Sequence, residues 1–169
     1  MFPIDYQFIM IKTHNTGTRL AVSVGDPEME FQSLSPNLMV DDLDETLAWY
    51  RDNLDASLVA ELPTEPNVDS WWAQVTMGDV SIMFQERDNL VEKLPALADM
   101  DVGTAAPIFI SVDDAQYIHD RLDDSSASIV QSLHETEFGW LQFAVRDPNG
   151  YILWFGEKLT PDRRGPVIR

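Results

Sequence analysis

Val40-Asp41-Asp42 recurs 72 residues later as Val112-Asp113-Asp114, and Gly78 is separated from Gly150 by the same offset. Each Asp pair precedes a helical stripe: Leu43, Leu47, Tyr50 and Leu54 after the first, Ala115, Ile118 and Leu122 after the second. An Asp at such a position accepts a hydrogen bond from an N–H of the first helical turn, so both pairs read as N-caps. Each glycine sits at a turn before an apolar strand. We infer two copies of one unit, a constraint stronger than any single motif in the chain.

Each copy reads βαβββ, giving an α+β fold of two tandem units. In the first, strands are predicted near 34–40, 56–62, 70–77 and 79–85, with a helix near 43–53. In the second, strands are predicted near 105–112, 127–133, 138–146 and 150–156, with a helix near 114–124. The last two strands of the second copy are joined by Asp147-Pro148-Asn149-Gly150, in which Pro fixes φ while Asn and Gly accept positive φ. The expected layout is an extension over 1–32, one domain over 33–157 (units 33–86 and 105–157, connector 87–104) and a polar tail over 158–169. Within the connector, one helical turn is predicted between 87 and 100. In the extension, Asn15-Thr16-Gly17 between Gln7–Lys12 and Thr18–Val24 reads as a hairpin or as a structureless arm. Met29 is a second candidate for the natural start, because the repeat begins directly after it.

Composition narrows the function classes. With 29 acidic and 11 basic residues the formal charge is −18, which argues against a nucleic-acid partner, since phosphate binding needs a cationic face. There is no Cys, so disulfides, thiolate metal sites and thiol nucleophiles are excluded. No apolar run reaches the roughly 18 residues that span a bilayer, and the N-terminus lacks a basic leader, so a cytoplasmic protein is expected. Only three Lys occur, Lys12, Lys93 and Lys158. That bias fits a high-salt interior, where screening relieves self-repulsion; a melting temperature equal at low and molar salt would count against it.

Strand parity sorts the side chains. Uniformly apolar faces (Leu34, Leu38 and Val40; Val80, Ile82 and Phe84; Ile108, Ile110 and Val112; Tyr151, Leu153 and Phe155) belong under the helices. The mixed faces then line a cup. They carry Trp72, Trp140, Trp154, Phe109, Met39 and Met83, with Asn37, Gln85, Ser111 and Gln74 as polar groups. Aromatic walls with a few hydrogen-bonding groups suit a small organic molecule, aromatic or cationic, although the same rings could fill a core or a dimer seam.

The βαβββ repeat, the VDDLDETLAWYRDNL segment starting at Val40 and the FAVRDPNGYILWFGE segment ending at Glu157 resemble the vicinal oxygen chelate superfamily, which includes glyoxalase I, extradiol dioxygenases and bleomycin-resistance proteins. The resemblance covers roughly Leu34 to Glu157. It implies two cupped sheets with helices on the convex side, ligands on the concave side and a homodimer whose pockets lie between units. It also implies metal ligands at the start of each unit's first strand and the middle of its last strand in the metal-dependent members. Those positions fall here on Ser35 and Pro107, and on Trp154 with Ile82 or Met83. None is a usual ligand for a divalent ion.

The resemblance therefore points to a metal-free, cofactor-free protein of the bleomycin-resistance type that sequesters a small molecule, with no residue assigned to catalysis. The rivals are a metal-dependent lyase or dioxygenase with relocated ligands, for which His134, Glu86 and Glu157 are the candidates, and a scaffold with a filled cup. His14 and His119 read as solvated, Asp147 and Glu157 as structural. No Gly-rich phosphate loop, nucleophile elbow or HExxH pattern is present.

Overall fold

Two four-stranded sheets of identical topology arise from the two repeats in the computed structural model, which describes residues 33–104, 106–125 and 127–160. The first repeat comprises β1 (Asn37–Val40), α1 (Leu43–Leu54), β2 (Ser57–Leu62), β3 (Trp72–Met77) and β4 (Val80–Glu86). The second comprises β5 (Ile108–Ser111), α3 (Ala115–Asp123), β6 (Ser128–Glu135), β7 (Trp140–Arg146) and β8 (Ile152–Lys158). Strand orders are β1-β4-β3-β2 and β5-β8-β7-β6, with the first pair of each parallel and the others antiparallel. The expected fold class is observed. The hairpin expected at 7–24 lies outside the described residues. No described helix is long and apolar enough to cross a membrane.

The Asp pairs act as caps. The Asp42 carboxylate accepts from Glu45 N at 2.8 Å, and that of Asp114 from Tyr117 N at 2.9 Å. Glu157 of β8 adds a second acceptor at α3, taking Ala115 N at 3.1 Å. α1 ends at Asp55, whose left-handed φ of 52° turns the chain into β2.

The apolar faces lie in the core as parity predicts: Val40, Ile82, Phe84 and Leu153 are fully buried, and Phe143 and Val145 of β7 join them. Leu34 is a correction: it is 89% exposed, because β1 starts only at Asn37. The connector is also more structured than predicted, forming α2 (Arg87–Lys93) and a 3₁₀ turn at Pro95–Leu97. β8 runs to Lys158, and Leu159 is buried. His119 is only partly solvated; its ring packs edge-on against Phe143, with centroids 5.2 Å apart.

The Asp147–Tyr151 connection ties the repeats together. Asp147 Oδ1 accepts from Tyr151 N at 2.8 Å and its Oδ2 from the Tyr50 hydroxyl at 3.0 Å. Tyr151 O–H donates to the Met39 carbonyl at 2.9 Å, and Asn149 Nδ2 to Thr46 Oγ1 at 2.8 Å. Burial pushes the Asp147 carboxyl above its usual range, while the donors from Tyr151 and Tyr50 pull it back. The connector closes over this turn at Gly103 (φ +81°), where a Cβ would lie 3.0 Å from Gly150 Cα and closer still to the Asn149 carbonyl.

Candidate functional site

The concave face of the second sheet carries an aromatic cluster fixed by strand register. Phe109 of β5 lies beside Trp154 of β8, and Trp154 beside Ala144 of β7. The Phe109 ring meets Trp140 edge-on at 5.5 Å and Trp154 edge-on at 5.9 Å, both favoured geometries for quadrupolar rings. These three rings, with Gln142, His134 and Phe138, line an open recess of about 660 Å³. Phe109 remains 46% exposed and Phe138 73% exposed.

Gly156 makes this packing possible. A Cβ there would stand 2.5 Å from Phe109 Cζ, 2.9 Å from its Cε2 and 3.3 Å from Trp140 Cε3. Only a residue without a side chain lets the Phe109 ring lie against the β8 backbone. Lys158 Nζ sits 4.9 Å from the Trp140 ring centroid and donates to the Phe138 carbonyl at 3.0 Å. His134 Nδ1 is 2.9 Å from the Ser132 carbonyl, a contact that requires its proton there and leaves Nε2 as the acceptor of the neutral ring. Trp154 Nε1 is buried with no hydrogen-bond partner among the described residues, a desolvation cost of about 1–3 kcal/mol held at the recess wall.

The first sheet presents a different concave face. Asn37 Nδ2 donates to Gln85 Oε1 at 2.8 Å, Gln85 Nε2 to Asn89 Oδ1 at 2.6 Å, and Gln74 Nε2 to Ser81 Oγ at 2.8 Å. Met83 stands among these amides, in register with Asn37. Met39 and Gln85 are buried, and Arg87 of α2 reaches the Met39 sulfur at 3.8 Å.

The expected site residues therefore divide. Phe109, Trp140 and Trp154 come together. Trp72, Met39, Met83, Asn37 and Gln85 lie on the other sheet, so three tryptophans on one wall within a chain is corrected to two. Ser111 opens onto a separate cleft beside α3. Phe138 and Gly156 lie outside the expected site residues. Gln142 joins the recess through the same β7 parity as Trp140, and the glycine between Phe155 and Glu157 is the signal in the sequence for the close approach of Phe109.

Register also tests the fit of a metal. Asn37 pairs with Met83, and Phe109 with Trp154, so these four occupy equivalent places in the two sheets. Ile82 is in the core, which selects Met83 as the equivalent of Trp154. Ser35 and Pro107 precede the strands. An amide, a thioether and two aromatic rings do not make a site for a divalent cation. The relocated set His134, Glu86 and Glu157 does not converge either: among the described residues, no three His, Cys, Asp or Glu side chains group closely enough to hold an ion. His134 is on the edge strand of the second sheet, Glu86 at the end of β4 in the first, and Glu157 on β8 with its carboxylate turned to the start of α3.

The family model for the glyoxalase/bleomycin resistance protein/dioxygenase superfamily matches residues 32–155. Among solved structures, the chain is similar to TioX from Micromonospora sp. ML1, with 21% identity over 76% of this chain and 100% of that one, at a TM-score of 0.60. It is similar to TnmS3, an antibiotic binding protein from Streptomyces sp. CB03234, with 19% identity over 78% and 99% and a TM-score of 0.61. A bleomycin-binding protein complexed with bleomycin aligns at 22% identity over 75% and 98%, with a TM-score of 0.51. At these identities the likeness carries the fold alone. No curated protein sequence is similar enough to count as a match.

Proposed function

The chain belongs to the glyoxalase/bleomycin resistance protein/dioxygenase superfamily, and from that premise we propose that it binds a small planar organic molecule without transforming it. The observation that supports this reading best is the Phe109–Trp140–Trp154 cluster at the open recess. Rings at this spacing accept a flat aromatic body edge-on or stacked, and the recess volume suits a compound of drug size. The concave positions that would have to bind an ion hold amide, thioether and aromatic groups, which favours binding over metal-assisted chemistry. Two of the structural neighbours are named for binding an antibiotic; a ligand of that kind is the corresponding reading here.

The recess is shallow and its aromatic rim is exposed, so a second wall is needed to bury most of a ligand's surface. The reading includes a homodimer in which the Asn37–Met83 face of one protomer closes over the aromatic face of its partner. Each dimer would then hold two composite sites. A mixing experiment tests this. Met83→Arg and Trp140→Arg each damage a different wall, so neither variant alone should bind a ligand found with a panel of antibiotics that carry planar rings, bleomycin among them. After the two are dissociated and reassociated together, about one quarter of the wild-type sites should return, the fraction that random pairing leaves with both walls intact. No recovery, or full binding by Met83→Arg alone, would contradict the composite cup.

A further inference from the structure

The repeats meet in two places, and the meetings are unequal. On one side the five-residue connection between Arg146 and Ile152 reaches α1 and β1, making the Asn149–Thr46, Tyr50–Asp147 and Tyr151–Met39 bonds described above. On the other side the corresponding connection, between Met77 and Val80, is only Gly78 and Asp79. Ile118, at the same 72-residue offset from Thr46, replaces the hydroxyl that anchors Asn149. The shorter hairpin leaves a cleft of about 600 Å³ against β5 and α3. Its floor is apolar, with Met77, Val80, Ile110 and Ile118. Its rim carries Asp55, Asp79, Asp113 and Asp114. Arg121 is the one cation among the lining residues, and its guanidinium is already engaged by the Asp55 carboxylate and by the Asp52 carbonyl at 3.1 Å.

We propose that this cleft is a second binding site, separate from the aromatic recess, for an amphipathic monocation: an ammonium or amidinium head on a compact apolar body. The floor removes the body from water, and the volume falls in the range of small-molecule sites. Asp79 and Asp113 have no ion-pair partner among the described residues, so their charge is available to the head group. The exposed ring of Tyr117 at the mouth adds a face over which a cation is attracted. An anion of equal size meets the same carboxylates as repulsion, and a neutral analogue gains only the apolar term. The proposal does not depend on the aromatic recess being a ligand site.

The experiment is a residue-resolved amide NMR titration of the full chain with benzyltrimethylammonium, benzyl alcohol and benzenesulfonate. The cation should give saturable shifts at Met77–Val80 and Val112–Ile118, weakening as salt is added. Benzyl alcohol should bind at least threefold more weakly, and benzenesulfonate should not bind. Asp79→Asn with Asp113→Asn should weaken the cation at least threefold, Ile118→Trp should fill the floor and abolish the shifts, and Trp140→Ala should leave them unchanged. The two surface Asp substitutions keep the test decisive if Ile118→Trp fails to fold. Unsaturable or absent shifts, equal response to all three probes, or an unchanged affinity in the Asp variant would overturn the proposal. So would probe-free, concentration-dependent shifts at the same amides, which would mean that a second copy of the chain covers the cleft.

Discussion

Tyr50→Ala is expected to destabilise the domain by about 3–5 kcal/mol, the range for emptying a buried aromatic site, and to lower the melting temperature by about 6–20 °C. Tyr50 is fully buried, with its ring 4.7 Å from Phe84 and 5.1 Å from Trp49. Truncation leaves a cavity where α1 meets the sheet and removes the hydroxyl that reaches Asp147 in the other repeat. Tyr50→Phe separates the two losses, because it keeps the ring and deletes only the donor, at a cost of about 1–3 kcal/mol. That smaller loss should depend on pH in a known direction. The hydroxyl favours the charged carboxylate and so works against the upward shift that burial imposes on Asp147. Without it the folded-state pKa rises further, and the extra stability of the wild type is present once Asp147 is ionised. The gap between wild type and Tyr50→Phe should therefore be smallest near or below the ordinary carboxyl value of 3.8 and widen as pH rises through the elevated folded-state range. Chemical denaturation across pH reads both effects; a gap that narrowed with rising pH would contradict the assignment.

Gly156→Val should abolish recognition while leaving the fold standing. The new Cβ would overlap Phe109 Cζ, and the rest of the side chain would press on Trp140. Phe109 is half exposed, so its ring can swing outward before the strands move. We expect a stability loss of about 1–3 kcal/mol, the usual cost of overpacking, and at least a tenfold loss of affinity for any planar ligand of the recess. The near-ultraviolet circular dichroism of the aromatic cluster should change with the ring geometry. Adding Phe109→Ala to Gly156→Val should restore stability but not affinity. Unaltered affinity in Gly156→Val would mean that the ligand does not use this floor.

Much of the fold is legible in the chain because its signals are local. Asp42 and Asp114 cap helices through contacts three residues away, and the Asp147–Gly150 turn is set by its own dihedral preferences. Parity recovered the core faces because one face of each sheet is buried and the other is not. It failed at Leu34, where an apolar residue lies just outside the strand; in the connector a helical turn was legible, but the length of α2, which covers Met39 and Gln85, was not. The site was legible only in part. Parity says which face a side chain occupies but not which sheets share a wall, so Trp72 was grouped with Trp140 and Trp154. The role of Gly156 comes from the close approach of Phe109, which sits on a strand paired across a long sequence separation.

If Trp140 and Trp154 line a ligand site, fluorine NMR of protein labelled with 5-fluorotryptophan should register the ligand at both rings. The chain has five tryptophans, and Trp→Phe variants assign each resonance. On titration with the panel of planar compounds, the Trp140 and Trp154 signals should shift together and saturate, while Trp49, packed edge-on against Tyr50, stays still. A saturating compound that leaves both signals in place, or a panel in which neither ever moves, would mean that these rings do not line a ligand site.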